Sequence, residues 1–261
     1  MLIFAGITPH SPLLIPAVGK ENTKKLGATI NSLNELEDDF YASQIDTLLI
    51  ITPDDTINKK SFVINFSPAY GGNFSEFGDF SLKPAYRGDN ALAFIIKDAF
   101  KKQELIKLTT VEKLSHHSLV PLHFLGAHKK DFKILPFHTA EFDFAAHFNF
   151  GADLIEVILD SPKRIAVISS LETSSQLSKN SPGGYSPKAK KFDQKIIDLL
   201  KNKRYSELAE ISPEQADKAG FNEIKALLIL AGMMSKINHQ TDVLSYEAPF
   251  GVGNLTAEFR M

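Results

Sequence analysis

The 261-residue chain has no cysteine and no tryptophan, no excess of either charge, and no apolar run as long as a bilayer is thick. Without cysteine there is no disulfide framework, no thiolate metal site and no cysteine nucleophile, so any metal must be held by His, Asp or Glu. The 29 Lys and Arg against 31 Asp and Glu leave a formal charge of −2, so no global field draws in a phosphate backbone or an anionic membrane. A nucleic-acid partner is therefore disfavoured. The longest purely apolar helical stretch lies near Ala226 to Met234, short of the ~20 residues that span a bilayer. The opening MLIFAGITPHSP has no basic leader and meets prolines at positions 9 and 12, which argues against a cleaved signal peptide and for a cytoplasmic protein.

What is present describes an ordinary globular protein, with 43% hydrophobic and 23% charged residues. The length lies near the ~250 to 300 residues at which single cores stop growing, and no linker or internal repeat divides the chain, so one domain over 1–261 is expected. Short apolar runs alternate with segments of helical period, the pattern of an α/β protein whose sheet is flanked by helices on both faces. Strands are expected at Leu2 to Ile7, Asp46 to Thr52, Ser61 to Ser67, Ile106 to Val111, Lys133 to His138 and Arg164 to Ser170, with two more within Val243 to Phe259. Helices are expected at Glu21 to Tyr41, Asn90 to Lys102, Leu119 to His128, Phe142 to Leu159, Ala189 to Lys201 and Asn222 to Ser235. Pro68 to Tyr86, rich in Gly, Pro and aromatics, reads as loops with a short edge strand.

Four loops follow a strand or open a helix, where open α/β sheets place their ligand sites. They carry His10, Asp54, His116 with His117, and Glu172 with Ser174 and Ser175. His10 stands between Pro9 and Pro12 on a stiff backbone, which suits a metal ligand, although a capped turn is the commoner fate of a single such histidine. Asp54 and Asp55 fit a divalent-metal ligand, a general base or a turn cap. His116 and His117 are adjacent, so at most one is expected to face a pocket. The other histidines, at 123, 128, 138, 147 and 239, lack partner spacing and read as core-edge or surface residues. Ser174 and Ser175 sit outside any GxSxG elbow, so a serine hydrolase has little support, and GlyValGly at 251–253 reads as a turn.

The segments ITPHSPLLIPAVGKEN, LIITPDD, SPAYGGNFSEFGDF, LSHHSLVPLHFL, SSLETSSQLSKNSPGGYSPKAKKFD, AGFNEIKALLILAG and VLSYEAPFGVGNL run in order along nearly the whole chain. Together they resemble the class III extradiol ring-cleaving dioxygenases, the LigB-like superfamily that includes the Memo-like proteins of the AmmeMemoRadiSam group. The resemblance implies a single α/β domain with a central mixed sheet, a homodimer or higher homo-oligomer, and a small aromatic ligand. It also implies Fe(II) held by two histidines and a glutamate, binding a catechol and O2 side by side. The family's first ligand corresponds to His10. The second falls on Asp54, where ProHis is replaced by ProAsp, and the third on Phe221, within AlaGlyPheAsnGlu. The acid/base histidine falls on Ser175, and the other pocket histidine corresponds to His116, the retained candidate for the catalytic base. The resemblance thus leads to a degenerate iron site with weak or no ring cleavage. The alternatives are a noncatalytic binding protein or subunit, or a rebuilt site for another divalent metal using His10, Asp54 and His116, or Glu223 two residues beyond the family glutamate.

Overall fold

The computed structural model describes residues 1–53, 60–81, 84–128 and 131–261. The chain opens with β1 (Leu2–Thr8), α1 (Pro16–Gly19), α2 (Gly27–Ala42), β2 (Thr47–Thr52), β3 (Phe62–Asn65), β4 (Ala69–Gly71) and β5 (Ala85–Gly88). It continues through α3 (Asn90–Ala99), β6 (Ile106–Thr109), α4 (His116–Leu125), β7 (Lys133–His138), α5 (Phe144–Leu159) and β8 (Ile165–Ser170). It closes with α6 (Ala189–Lys201), α7 (Tyr205–Ala209), α8 (Pro213–Ala219), α9 (Ile224–Met234), β9 (Gln240–Glu247) and β10 (Asn254–Arg260).

The strands form one mixed sheet in the order β4-β5-β7-β2-β8-β1-β10-β9. β5 pairs with the start of β7 and β3 with its end, along the edge that β2 leaves open. The four central strands are parallel to one another and apolar on both faces, with successive residues feeding opposite cores. Thus Phe4, Leu48, Ile50, Ile134, Ala166 and Ile168 join Leu33, Leu36 and Phe40 of α2 and Val120 of α4 on one face. Ala5, Ile7, Leu49, Ile51, Leu135, Phe137 and Val167 meet α3, α5 and α9 on the other. On that second face α5 and α9 cross so closely that a Cβ on Gly151 would stand 2.0 Å from the Ile229 carbonyl oxygen, and one on Gly232 2.0 Å from that of Phe148. Among the described residues no helix is long and apolar enough to cross a membrane.

Several elements depart from the sequence expectation. The helix expected from Leu119 begins at His116, because Ser115 turns the chain out of an extended conformation just before it. Residues 20–26 form a tight 3₁₀ stretch before α2, where one continuous helix is expected. α7 and α8 lie where no element is expected, although α8 carries a start signal: Ser212 and Gln215 form a reciprocal capping box with Pro213 in the first turn.

β1 leaves the sheet toward β2, passing β8, whereas β8 leaves toward β9 and β10 beyond β1. Chain leaving adjacent parallel strands in opposite directions opens a crevice at their carboxyl ends.

Candidate metal-binding site

His10 lies two residues beyond β1 and Glu172 two residues beyond β8, and the strand register pairs Thr8 with Ser170. The two loops therefore deliver a histidine and a glutamate to the same level of the crevice. α4 enters from one side with His116 and His117 in its first turn, and α9 from the other with Glu223 as its N-cap residue.

One potential ligand atom from each of His10, His116 and His117 lies within 4.8 Å of the others. The ring centroids are 4.3 Å apart for His10 and His117, 4.1 Å for His116 and His117, and 5.5 Å for His10 and His116. The expectation that at most one of the adjacent pair faces a pocket is corrected. Neighbouring positions diverge around a helix axis, but Cβ bonds tilt toward the N-terminus, and at the first turn no preceding turn blocks the space beyond the tip. Both rings reach over the end of α4.

The hydrogen bonding around His10 follows from a proline. Pro121, inside α4, has no N–H to give the carbonyl of His117 four residues earlier. The Ser170 hydroxyl takes that carbonyl instead, donating to it at 2.5 Å. With its proton so engaged, Ser170 Oγ accepts from His10 Nδ1, 3.2 Å away. A neutral His10 then carries its lone pair on Nε2, which faces Glu223 Oε1 at 3.4 Å. A lone pair and a carboxylate oxygen repel unless a cation lies between them, either a proton on the ring or a metal ion. Two donors each about 2.1 Å from a tetrahedral ion stand about 3.4 Å apart. Three convergent imidazoles are a donor set suited to Fe(II) or Zn(II), with the Glu223 carboxylate beside His10, so the residues present fit a divalent transition metal.

The two glutamates differ in acidity. Burial and the neighbouring Glu223 charge push the Glu172 carboxyl above the usual range, against the pull of His10, His117 and the Ser11 hydroxyl. Burial acts on Glu223 in the same sense, but His10, the Glu172 amide and His117 outweigh it and hold that carboxyl low. The Glu172 amide donates to Glu223 Oε2 at 2.6 Å. The two adjacent carboxyls are thus driven apart in acidity, Glu172 toward the neutral form and Glu223 toward the anion. At the mouth, His116 Nδ1 lies 3.8 Å from Glu76 Oε1, and the Phe77 ring stands edge-on at 5.1 Å.

The remaining sequence candidates are distributed as follows. Asp54 lies outside the described residues. Phe221 is buried in the core, its ring 6.3 Å from that of Phe192, and offers no donor. Ser175 donates its hydroxyl to the Gly220 carbonyl at 3.0 Å. Ser174 is fully buried and donates to Asp193 at 2.5 Å, so neither serine is hydrogen-bonded to an imidazole base. Asp193 also receives Thr173 and Tyr246 hydroxyls at 2.7 and 2.6 Å and thereby ties the loop after Glu172 to α6 and β9. The sequence reading named Glu172 without a role and missed Ser170 and Pro121. The equal offset of His10 and Glu172 from the ends of their strands was the available signal for the glutamate.

Residues 5–257 match the family model described as the catalytic LigB subunit of aromatic ring-opening dioxygenase. Protein CA_C1420 of Clostridium acetobutylicum is 24% identical over 257 residues, which cover 95% of this chain and 55% of that protein. The chain thus spans about half the length of this curated relative. The crystal structure of the uncharacterized protein JW3007 from Escherichia coli K12 superimposes with a TM-score of 0.71 over 98% of this chain and 99% of that one, at 13% identity. That likeness is one of fold. With the family model matched from the first strand to the last, the chain belongs to the LigB family.

Proposed function

We propose that this LigB-family chain holds a divalent transition metal through His10, His116, His117 and Glu223 and presents it to a small aromatic ligand, with little ring-cleaving activity. The supporting observation is the convergence of one ligand atom each from His10, His116 and His117 to within 4.8 Å of one another, with Glu223 Oε1 3.4 Å from His10 Nε2. A bound ion would act as a Lewis acid on an oxygen of the ligand. The chain's own groups do the rest. Ser170 fixes the His10 tautomer, Glu223 balances positive charge, and Glu172 holds a proton for exchange with a ligand hydroxyl beside it. Phe77 offers an aromatic edge at the entrance.

Donor number argues against efficient ring cleavage. Two histidines and one carboxylate leave three positions of an octahedron open, enough for a chelated catechol and O2. Three imidazoles and a carboxylate leave at most two.

Elemental analysis of protein purified without a chelating tag tests the metal site. The expected result is a near-stoichiometric divalent metal, lost by His10→Ala and weakened at least tenfold by Glu223→Gln. Wild type that retains no metal at micromolar supply would overturn the site. Rapid catechol-dependent oxygen uptake by iron-loaded protein would overturn the view of its chemistry.

A further inference from the structure

Asp193 of α6 is fully buried, yet among the described residues it meets no Lys, Arg or His: its partners are hydroxyls and an amide. Ser174 gives Oδ1 its hydroxyl at 2.5 Å and its amide at 3.2 Å, while Thr173 and Tyr246 give Oδ2 their hydroxyls at 2.7 and 2.6 Å. Asp89, equally buried, takes the Lys163 ammonium instead. We infer, on the metal reading given above, that Asp193 is a positioning residue of that site: it clamps Thr173 and Ser174 so that the Glu172 amide just before them holds Glu223 beside His10.

The path from Asp193 to the imidazoles is short and runs through backbone. Leu171 is held on β1 by its amide, which donates to the Thr8 carbonyl at 3.0 Å. Thr173 is held on the other side, its amide on the Gly253 carbonyl at 2.9 Å and its hydroxyl on Asp193. Ser175 gives its amide and its hydroxyl to the Gly220 carbonyl at 3.1 and 3.0 Å, three residues before Glu223. Fixed between these anchors, the Glu172 amide meets Glu223 Oε2 at 2.6 Å, and the other oxygen of that carboxylate stands 3.4 Å from His10 Nε2. The turn bearing Gly253 closes down on the clamp, since a Cβ there would lie 2.0 Å from Thr173 Oγ1 and 2.8 Å from Asp193 Oδ2. A carboxylate suits the position because it only accepts. Its two oxygens take every one of these donors, whereas the amide of an asparagine offers a single oxygen and turns its own N–H bonds toward hydroxyls and an N–H. Burial pushes the Asp193 carboxyl up, and the Ser174, Tyr246 and Thr173 hydroxyls with the Ser174 amide pull it back toward the anion.

The test is a competition titration of the full, metal-free chain with Zn(II) against a chelating dye, run with and without Glu223→Gln. Asp193→Asn should weaken Zn(II) about tenfold, as for the loss of a group that orients a ligand. Added to Glu223→Gln, the same change should cost less than about twofold, because Asp193 acts only through Glu223. Equal losses in both backgrounds would assign Asp193 to general stability and overturn the role. Ser174→Ala removes one donor and leaves the buried carboxyl in place, so it serves where the asparagine variant fails to fold. It should weaken Zn(II) about threefold, with the same dependence on Glu223. A second readout needs no metal: deuterium exchange of the Glu172 amide, followed by NMR, should accelerate in either variant at least about tenfold more than that of Ile50 in β2. Equal acceleration of the two amides, or none, would overturn the clamp. Wild type that takes up no Zn(II), while the Glu172 amide is freed in Asp193→Asn, would refute the metal centre and leave the hold on Glu223 standing.

Discussion

Pro121 acts on a residue it does not touch. By withholding an amide from the His117 carbonyl, it makes that oxygen the acceptor of the Ser170 proton and so decides which nitrogen of His10 is left bare. Ser170→Ala should therefore destabilise the fold by about 1 to 3 kcal/mol, since it orphans a carbonyl that the helix cannot serve. Adding Pro121→Ala should restore a donor and recover part of the loss. Denaturant unfolding of the two single variants and the double variant checks this, and strictly additive changes would refute the link. This chain of dependence could not be read beforehand, because Ser170 and Pro121 lie on different elements and meet only through the backbone of a third residue. His10 was legible because a histidine held between prolines at a strand end is a local signal. Glu223 entered the reading only through its offset from a family position, and its approach to His10 depends on the angle at which α9 arrives.

At the level of elements, the four central strands and the long helices could be read from period alone, since each is apolar on the faces it buries. The misplacements occur where other local chemistry decides. α4 starts three residues early because Ser115 turns the chain, and α8 is set by its Ser212 and Gln215 box more than by any apolar stripe. The crossing of α5 and α9 supplies a test in which two effects oppose each other. Alanine is the better helix former by about 1 kcal/mol, so Gly151→Ala or Gly232→Ala would stabilise an isolated helix. In this fold the added methyl meets a facing carbonyl at 2.0 Å, and each change should instead destabilise by about 1 to 3 kcal/mol. A rise in the midpoint of denaturant unfolding for either variant would refute the close crossing.

The molecule as a whole should show an acid-sensitive stability traceable to His147, which the sequence places at the core edge and the structure places fully inside the core. Its Nδ1–H donates to the Asp143 carbonyl at 2.8 Å, and its Nε2 accepts from the Ala140 amide at 3.3 Å. Protonation would break the second bond. Burial is the main cause holding the ring down at about 4, against about 6.5 in the unfolded chain. Between those values the unfolded chain binds the extra proton, so stability is complete above pH about 6.5 and declines as pH falls toward 4, by on the order of 3 kcal/mol. His147→Gln should flatten that limb of the curve of unfolding free energy against pH, and an unchanged slope would refute the assignment.

β1 precedes the other strands in sequence, yet it lies between β8 and β10 and leads into His10, while Glu223 opens α9. A growing chain on the ribosome cannot complete this pocket until α9 has emerged, nor enclose its first strand until β10 follows. A chain grown only as far as α4 therefore carries His10, His116 and His117 without β8 beside β1 and without Glu223, so the donor set proposed above comes together only once α9 is in place.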